Sequence, residues 1–181
     1  MSTVKKQENQ VIRSDKSIAL NLNVSNSREV PDELVYSLTQ VTDDADNRVG
    51  AEDSIWTYWG EQVEFSFTLV DKTGLGLVFT NDQHGPFWIK AGSNRKTCPT
   101  NKFIATGFDV DVKDSLNFVV TTPRYRPSSA NQHKPHKDFV YRVRITEPRE
   151  PNPRNRDWDP VIQNGGGGHG LDRGGRGGRD R

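Results

Sequence analysis

Cysteine is almost absent: Cys98 is the only one in 181 residues. No intramolecular disulfide can form, so the framework of a small secreted domain is excluded, and a reducing compartment, the cytoplasm, is the expected location. Long apolar runs are missing as well. No stretch approaches the roughly 18 apolar residues that a membrane helix needs, and no membrane partner is expected. Lys5 and Lys6 near the start are followed by no apolar segment of the kind a secretory leader requires. Charge of one sign is also lacking, since 25 basic side chains face 24 acidic ones and leave a net charge of +1. The whole-molecule field therefore gives no hold on nucleic acid, and any basic function must be local. Apolar residues are scarce at 31%, against about 45–50% in a typical globular chain counted with glycine, so part of the chain is expected to stay outside any core. A helical period of about 3.6 residues is nowhere sustained. No Gly-x-Ser-x-Gly elbow, Walker loop or His-Glu-x-x-His motif is present, which removes the commonest hydrolase and nucleotide-binding readings.

What is present is alternation. Ile18, Leu20, Leu22 and Val24 are separated by Ala19, Asn21 and Asn23, the period-two pattern of a strand with one buried face. Leu34 to Thr39 follows Pro31 and Asp32 as a second strand, before the polar excursion Asp43 to Asn47. Val63, Phe65, Phe67 and Leu69 alternate again; a turn at Asp71 to Gly74 and a return strand at Gly76 to Thr80 complete a predicted hairpin. Phe87 to Ile89, Phe108 to Val112, Leu116 to Val120 and Phe139 to Ile145 continue the series, the last with Phe139, Tyr141, Val143 and Ile145 on one face. Short strands at this spacing predict an all-β fold: an antiparallel β-sandwich, immunoglobulin-like or a similar Greek key, of about seven to nine strands between Ser17 and Ile145. Val161 and Ile162, a β-branched pair in a polar end, are expected to return to a sheet edge as a short final strand.

The domain plan follows from composition. Residues 1–16 read as a flexible arm and 17–164 as the β-sandwich domain, including a connector at 147–157 that carries Pro148, Pro151 and Pro153. Residues 165–181 read as a disordered Gly/Arg-rich tail that cannot bury a core. Pro123 to Lys137 reads as a long polar loop.

Among the residues that can carry chemistry, Asp159-Pro160 stands out. An aspartyl carboxylate can attack its own main-chain carbonyl, and the tertiary proline nitrogen is a better leaving group once protonated. A neighbouring acid and donors for the oxyanion would complete the site. The other reading of Asp-Pro is an ordinary turn or strand entrance. Lys137 is a candidate donor, with Asp138 or Asp114 as the second carboxylate of a pair; their plainer reading is as solvated strand ends. His133 and His136, with Cys98 or His84, lack the second ligand pair of a zinc site, so no metal and no cofactor are expected. Trp56, Tyr58, Trp59 and Trp88 fit a core plug better than a ligand platform. Arg173, Arg176 and Arg179, set among glycines, are similar to an RGG box, whose arginines contact phosphates and stack on bases; Asp172 and Asp180 dilute their charge.

Three stretches resemble a known family. His84-Gly85-Pro86-Phe87-Trp88, the strand Lys137 to Ile145, and Asp159-Pro160-Val161-Ile162-Gln163-Asn164 followed by glycines are similar to segments of the DP-EP family of small bacterial proteins. The resemblance spans roughly residues 79–168, and its third segment is the most specific. It implies a β-sandwich and self-processing of the C-terminal segment by an aspartic-peptidase-like mechanism, with Asp159 and Pro160 at the signature and Lys137 at a lysine before the last long strand. Thr121-Thr122-Pro123-Arg124 and the long connector depart from the family pattern. The expected partner on that reading is the chain's own C-terminal segment. The alternative is a non-enzymatic interaction module whose tail contacts another protein or single-stranded nucleic acid.

Overall fold

A computed structural model describes residues 16–30, 32–42, 47–50, 53–58, 60–91, 104–124 and 139–165. The fold is all-β, with no α-helix among the described residues. Twelve strands are present there: β1 Lys16–Asn26, β2 Leu34–Gln40, β3 Ile55–Tyr58, β4 Val63–Asp71, β5 Val78–Phe79, β6 Phe87–Ala91, β7 Asp109–Val112, β8 Asn117–Thr121, β9 Phe139–Val143, β10 Ile145–Glu147, β11 Arg154–Asn155 and β12 Val161–Gly165. They form a five-stranded sheet in the order β2-β1-β4-β8-β7, a four-stranded sheet β3-β12-β9-β6 and a three-stranded sheet β11-β10-β5.

The strands with the cleanest alternation are the ones the core needs most. Ile18, Leu20, Leu22 and Val24 of β1 and Val63, Phe65, Phe67 and Leu69 of β4 are all buried, while the residues between them are half-buried or exposed. Phe118 of β8 joins the three sheets. Its ring lies 4.8 Å from Phe67 of β4, 4.7 Å from Phe79 of β5 and 5.8 Å from Phe87 of β6, so one aromatic cluster draws on every sheet.

Several expectations need correction. The sheets are not purely antiparallel: β1 runs parallel to β4 from Lys16↔Val63 to Val24↔Asp71, and β12 runs parallel to β3. Alternation reports which face is buried and carries no information on strand direction. The predicted hairpin does not form, because β4 pairs with β1 and β8 while β5 pairs with β10. Asp71 explains this: its carboxylate accepts from Thr73 N at 2.8 Å and from Leu77 N at 3.0 Å, building a wide loop through Gly74 and Gly76, both at positive φ. That loop carries the chain out of the five-stranded sheet instead of folding it back. The segment Phe139 to Ile145 is likewise two strands. At Arg144 the backbone changes partner, donating to Pro86 O at 2.7 Å and accepting from Thr80 N at 3.0 Å, after which Ile145 pairs with Phe79 in the next sheet. This split, together with β3, takes the number of strands past the expected seven to nine.

The C-terminal strand forms, but inside a sheet. β12 lies between β3 and β9, not on an edge. Its approach is fixed by the connector, where Glu147 is buried against Arg156 at 3.1 Å and also pairs with Arg149. Arg156 N donates to Ile145 O at 2.7 Å, and its carbonyl accepts from Tyr36 OH at 3.1 Å. Burial pushes that phenol up to about 12, against a weaker opposing pull from Arg156. The expected arm is described only at Lys16, which already belongs to β1, and the expected tail only at Gly165, which ends β12; residues 1–15 and 166–181 lie outside the described residues.

Because Phe118 is fully buried and touches rings from all three sheets, Phe118→Ala is expected to cost about 3–5 kcal/mol of stability. Urea denaturation measures it, and a loss below about 1 kcal/mol would show that the three sheets do not depend on this cluster.

Candidate functional site

The residues around Asp159-Pro160 run alongside β9. Trp158 exchanges both backbone hydrogen bonds with Val143, at 2.8 and 2.9 Å, and Pro160 O accepts from Tyr141 N at 3.2 Å. Asp159 is therefore placed across from Arg142. The core-facing neighbours Tyr141 and Val143 are fully buried, so alternation turns the Arg142 side chain to the opposite, partly open face.

On that face one guanidinium gathers two carboxylates. Arg142 Nε donates to Asp159 Oδ1 at 2.7 Å and Nη2 donates to Oδ2 at 3.0 Å, a bidentate clamp. Arg142 Nη1 lies 3.6 Å from Asp157 Oδ2. The other oxygen, Asp157 Oδ1, is buried and has no hydrogen-bond partner among the described residues. Burial pushes the Asp157 carboxyl above its ordinary range; Arg142 and Arg144 oppose that rise, and the charge on Asp159 adds to it. Asp159 keeps 35% of its side-chain surface exposed, enough for water to reach it.

The sequence candidates separate as follows. Asp159 and Pro160 sit together at this site, whereas Lys137 and Asp138 lie outside the described residues, as do His133, His136, Cys98 and Trp59. Asp114 is engaged elsewhere. Its carboxylate accepts from Leu116 N at 2.7 Å and from Asn117 Nδ2 at 2.9 and 3.0 Å, and these bonds hold its pKa below the ordinary carboxylate value. The carboxylate that does accompany Asp159 is Asp157, and the group that joins them is Arg142; the sequence reading picked out neither. A signal existed: Arg142-Val143-Arg144 and Asp157-Trp158-Asp159 are each spaced by two, so on paired extended segments their charges share a face.

The remaining candidates are structural. Trp88 is buried, donates from Nε1 to His84 O at 3.0 Å and lies under Arg144, whose guanidinium carbon is 4.6 Å from the ring centroid. Arg144 in turn clasps Asp82 at 2.8 and 2.9 Å. Tyr58 carries Arg48 over its ring at 4.1 Å, and Arg48 forms a fully buried bidentate pair with Glu61 at 2.8 and 2.9 Å. No group of three His, Cys, Asp or Glu side chains placed to hold a metal occurs among the described residues. No helix there is long and apolar enough to cross a membrane. Arg173, Arg176 and Arg179 of the tail are outside the described residues. No protein-family model matches the chain, and no curated protein does.

Two carboxyls in this region give opposite pH dependences. Asp157 has a folded pKa above its ordinary 3.8, so its contribution is fully present below that value and is lost as pH rises through the raised one. For Glu147, burial pushes up but the hydrogen bonds from Arg156 and Arg149 outweigh it, holding the pKa below 4.5; its contribution is lost as pH falls through the lowered value. Urea midpoints measured against pH should therefore show Asp157→Asn removing a decline above pH 3.8, and Glu147→Gln removing part of the loss on acidification. Identical profiles for wild type and Asp157→Asn would refute the assignment.

Proposed function

We propose that this chain is a β-sandwich protein of the DP-EP type that cuts its own backbone at Asp159-Pro160. The observation that carries the proposal is the pair of carboxylates held on Arg142 beside the scissile bond, one of them with its pKa pushed up. Paired acids whose environments differ divide the roles of nucleophile and proton donor between them. The packing of Phe67 and Phe118, both of the five-stranded sheet, on Phe87 of the four-stranded sheet supports the sandwich part of the reading.

In the proposed reaction an Asp159 carboxylate oxygen leaves the Arg142 clamp and attacks the Asp159 main-chain carbonyl carbon, closing a cyclic anhydride. The C–N bond to Pro160 breaks as the proline nitrogen takes a proton and leaves as a secondary amine. Asp157, kept neutral into milder pH by its burial, supplies that proton directly or through water. Water then opens the anhydride, leaving Asp159 as a C-terminal aspartate. Lys137, which the family resemblance favours as the donor, is the rival for that role.

The test is intact mass under denaturing conditions after days of incubation across a pH series. Fragments 1–159 and 160–181 are expected, forming faster below the raised Asp157 pKa and more slowly above it. Asp159→Ala should stay at full mass, and Asp157→Asn should slow scission by about 10²–10⁴-fold, the effect of a lost general acid. A slowing that follows Lys137→Ala and not Asp157→Asn would transfer the donor role to the lysine. Wild type that keeps its full mass, or Asp159→Ala that still loses residues 160–181, ends the reading and leaves the interaction module, with its arginine tail, in its place.

A further inference from the structure

The bond between Asp159 and Pro160 lies at a join between an anchor and a strand. Upstream, Trp158 is held by two backbone bonds to Val143, its ring is stacked 6.3 Å from Tyr36 and set edge-on 6.0 Å from Tyr141, and Asp159 is clamped by Arg142. Downstream, β12 is held as a strand. It pairs antiparallel with β9 at Val161↔Val140 and Ile162↔Phe139, and parallel with β3 from Ile162↔Ile55 to Gly165↔Tyr58. In the sheet order β3-β12-β9-β6, no other described strand bridges β3 and β9. If β12 left, the facing edges of both neighbours would expose unpaired N–H and C=O groups, the condition under which an extended segment is taken up from outside.

While the chain is intact the tether gives β12 a high effective concentration at its slot, and a free segment cannot compete. A cut at Asp159-Pro160 removes the tether and leaves the anchor in place. From this we infer that the space between β3 and β9 is a strand-accepting site whose occupant, once that bond is cut, exchanges with the same C-terminal segment of a second copy of this chain. Scission then does not discard the C-terminal segment; it converts a permanent strand into an exchangeable ligand. The inference rests on the scission proposed above, and its test makes the cut independently.

A recognition site for a specific endoprotease is inserted between Asp159 and Pro160 of the full chain, and the folded protein is cut by the added enzyme. The fragment beginning at Pro160 should co-elute with the body on native size exclusion. A fluorescent peptide of residues 160–169, added in excess, should enter the cut protein and not the uncut one, with a preference of about 10²–10⁴-fold from loss of the tether. The same peptide carrying Ile162→Pro and Gln163→Pro lacks one N–H on each side of the strand and should not enter. Immediate departure of the fragment on cutting, no entry of the peptide into the cut protein, or equal entry of the proline peptide would each overturn the inference. Self-scission is read separately, from the mass of the unmodified chain, so either idea can fail alone.

Discussion

The four-stranded sheet depends on β12, the most C-terminal of the described strands, lying inside it. Among the described residues β3 and β9 are joined through β12, so the four-stranded sheet is complete there once residues 161–165 are in place. The parallel pairing of β1 with β4 is also non-local, although it spans less than half the separation of β12 from β3, with β2 and β3 between its partners. Both features make the contact order high, and folds dominated by non-local pairing form slowly because loop-closure entropy is lost before the contacts are gained. The connector offsets part of that cost. Arg156 and Trp158 hold the returning chain against Glu147, Tyr36 and Val143 before β12 is reached, which shortens the remaining search to a few residues.

Ion pairs add to the apolar core by fixing where segments meet. Among the described residues, specific pairs stand at the places where segments change sheet or meet: Arg48 with Glu61, Arg144 with Asp82, Arg156 with Glu147, and Arg142 with Asp159. Their worth is unequal. Arg48–Glu61 is wholly buried, and removing one partner of such a pair costs about 3–5 kcal/mol because the other charge is left without compensation. Lys113–Asp111, more than half exposed on both sides, is of the surface kind that solvent and salt screen and that adds little to stability. What the buried pairs add is specificity of placement, since a planar arginine fork meets a carboxylate in a defined geometry.

The burial pattern of β1 and β4 was legible residue by residue, because period two survives any rearrangement of the strands around it. Pairing was not. The same alternation fits a hairpin between β4 and the segment at Val78 and the observed departure into another sheet, and the difference is made by the Asp71 carboxylate capping Thr73 and Leu77. Ile55–Tyr58 is four residues long and too short to show a period, although Ile55 and Thr57 are buried and Trp56 and Tyr58 less so. At the site, Asp159 could be singled out because its chemistry with Pro160 is local in sequence. Asp157 and Arg142 could not be ranked the same way, since their importance comes from a pairing with β9 that only the fold supplies.

Arg142 has two opposed effects in the proposed scission. It assembles the site by drawing Asp157 and Asp159 together, yet it occupies both oxygens of the group that must attack. Releasing one charge-assisted hydrogen bond costs about 1.5–3 kcal/mol, whereas placing a carboxylate beside its own carbonyl is worth about 7–11 kcal/mol over an external nucleophile. Proximity wins by a margin that the clamp reduces but does not cancel. The backbone adds a second restraint of the same kind: Trp158 and Pro160 are both hydrogen-bonded to β9, so the carbonyl between them is held extended while it must become tetrahedral. On that proposal, a bond favoured by its chemistry and restrained by its fold would break slowly, and only after folding, because Arg142 and Asp157 meet Asp159 once the segment has docked on β9.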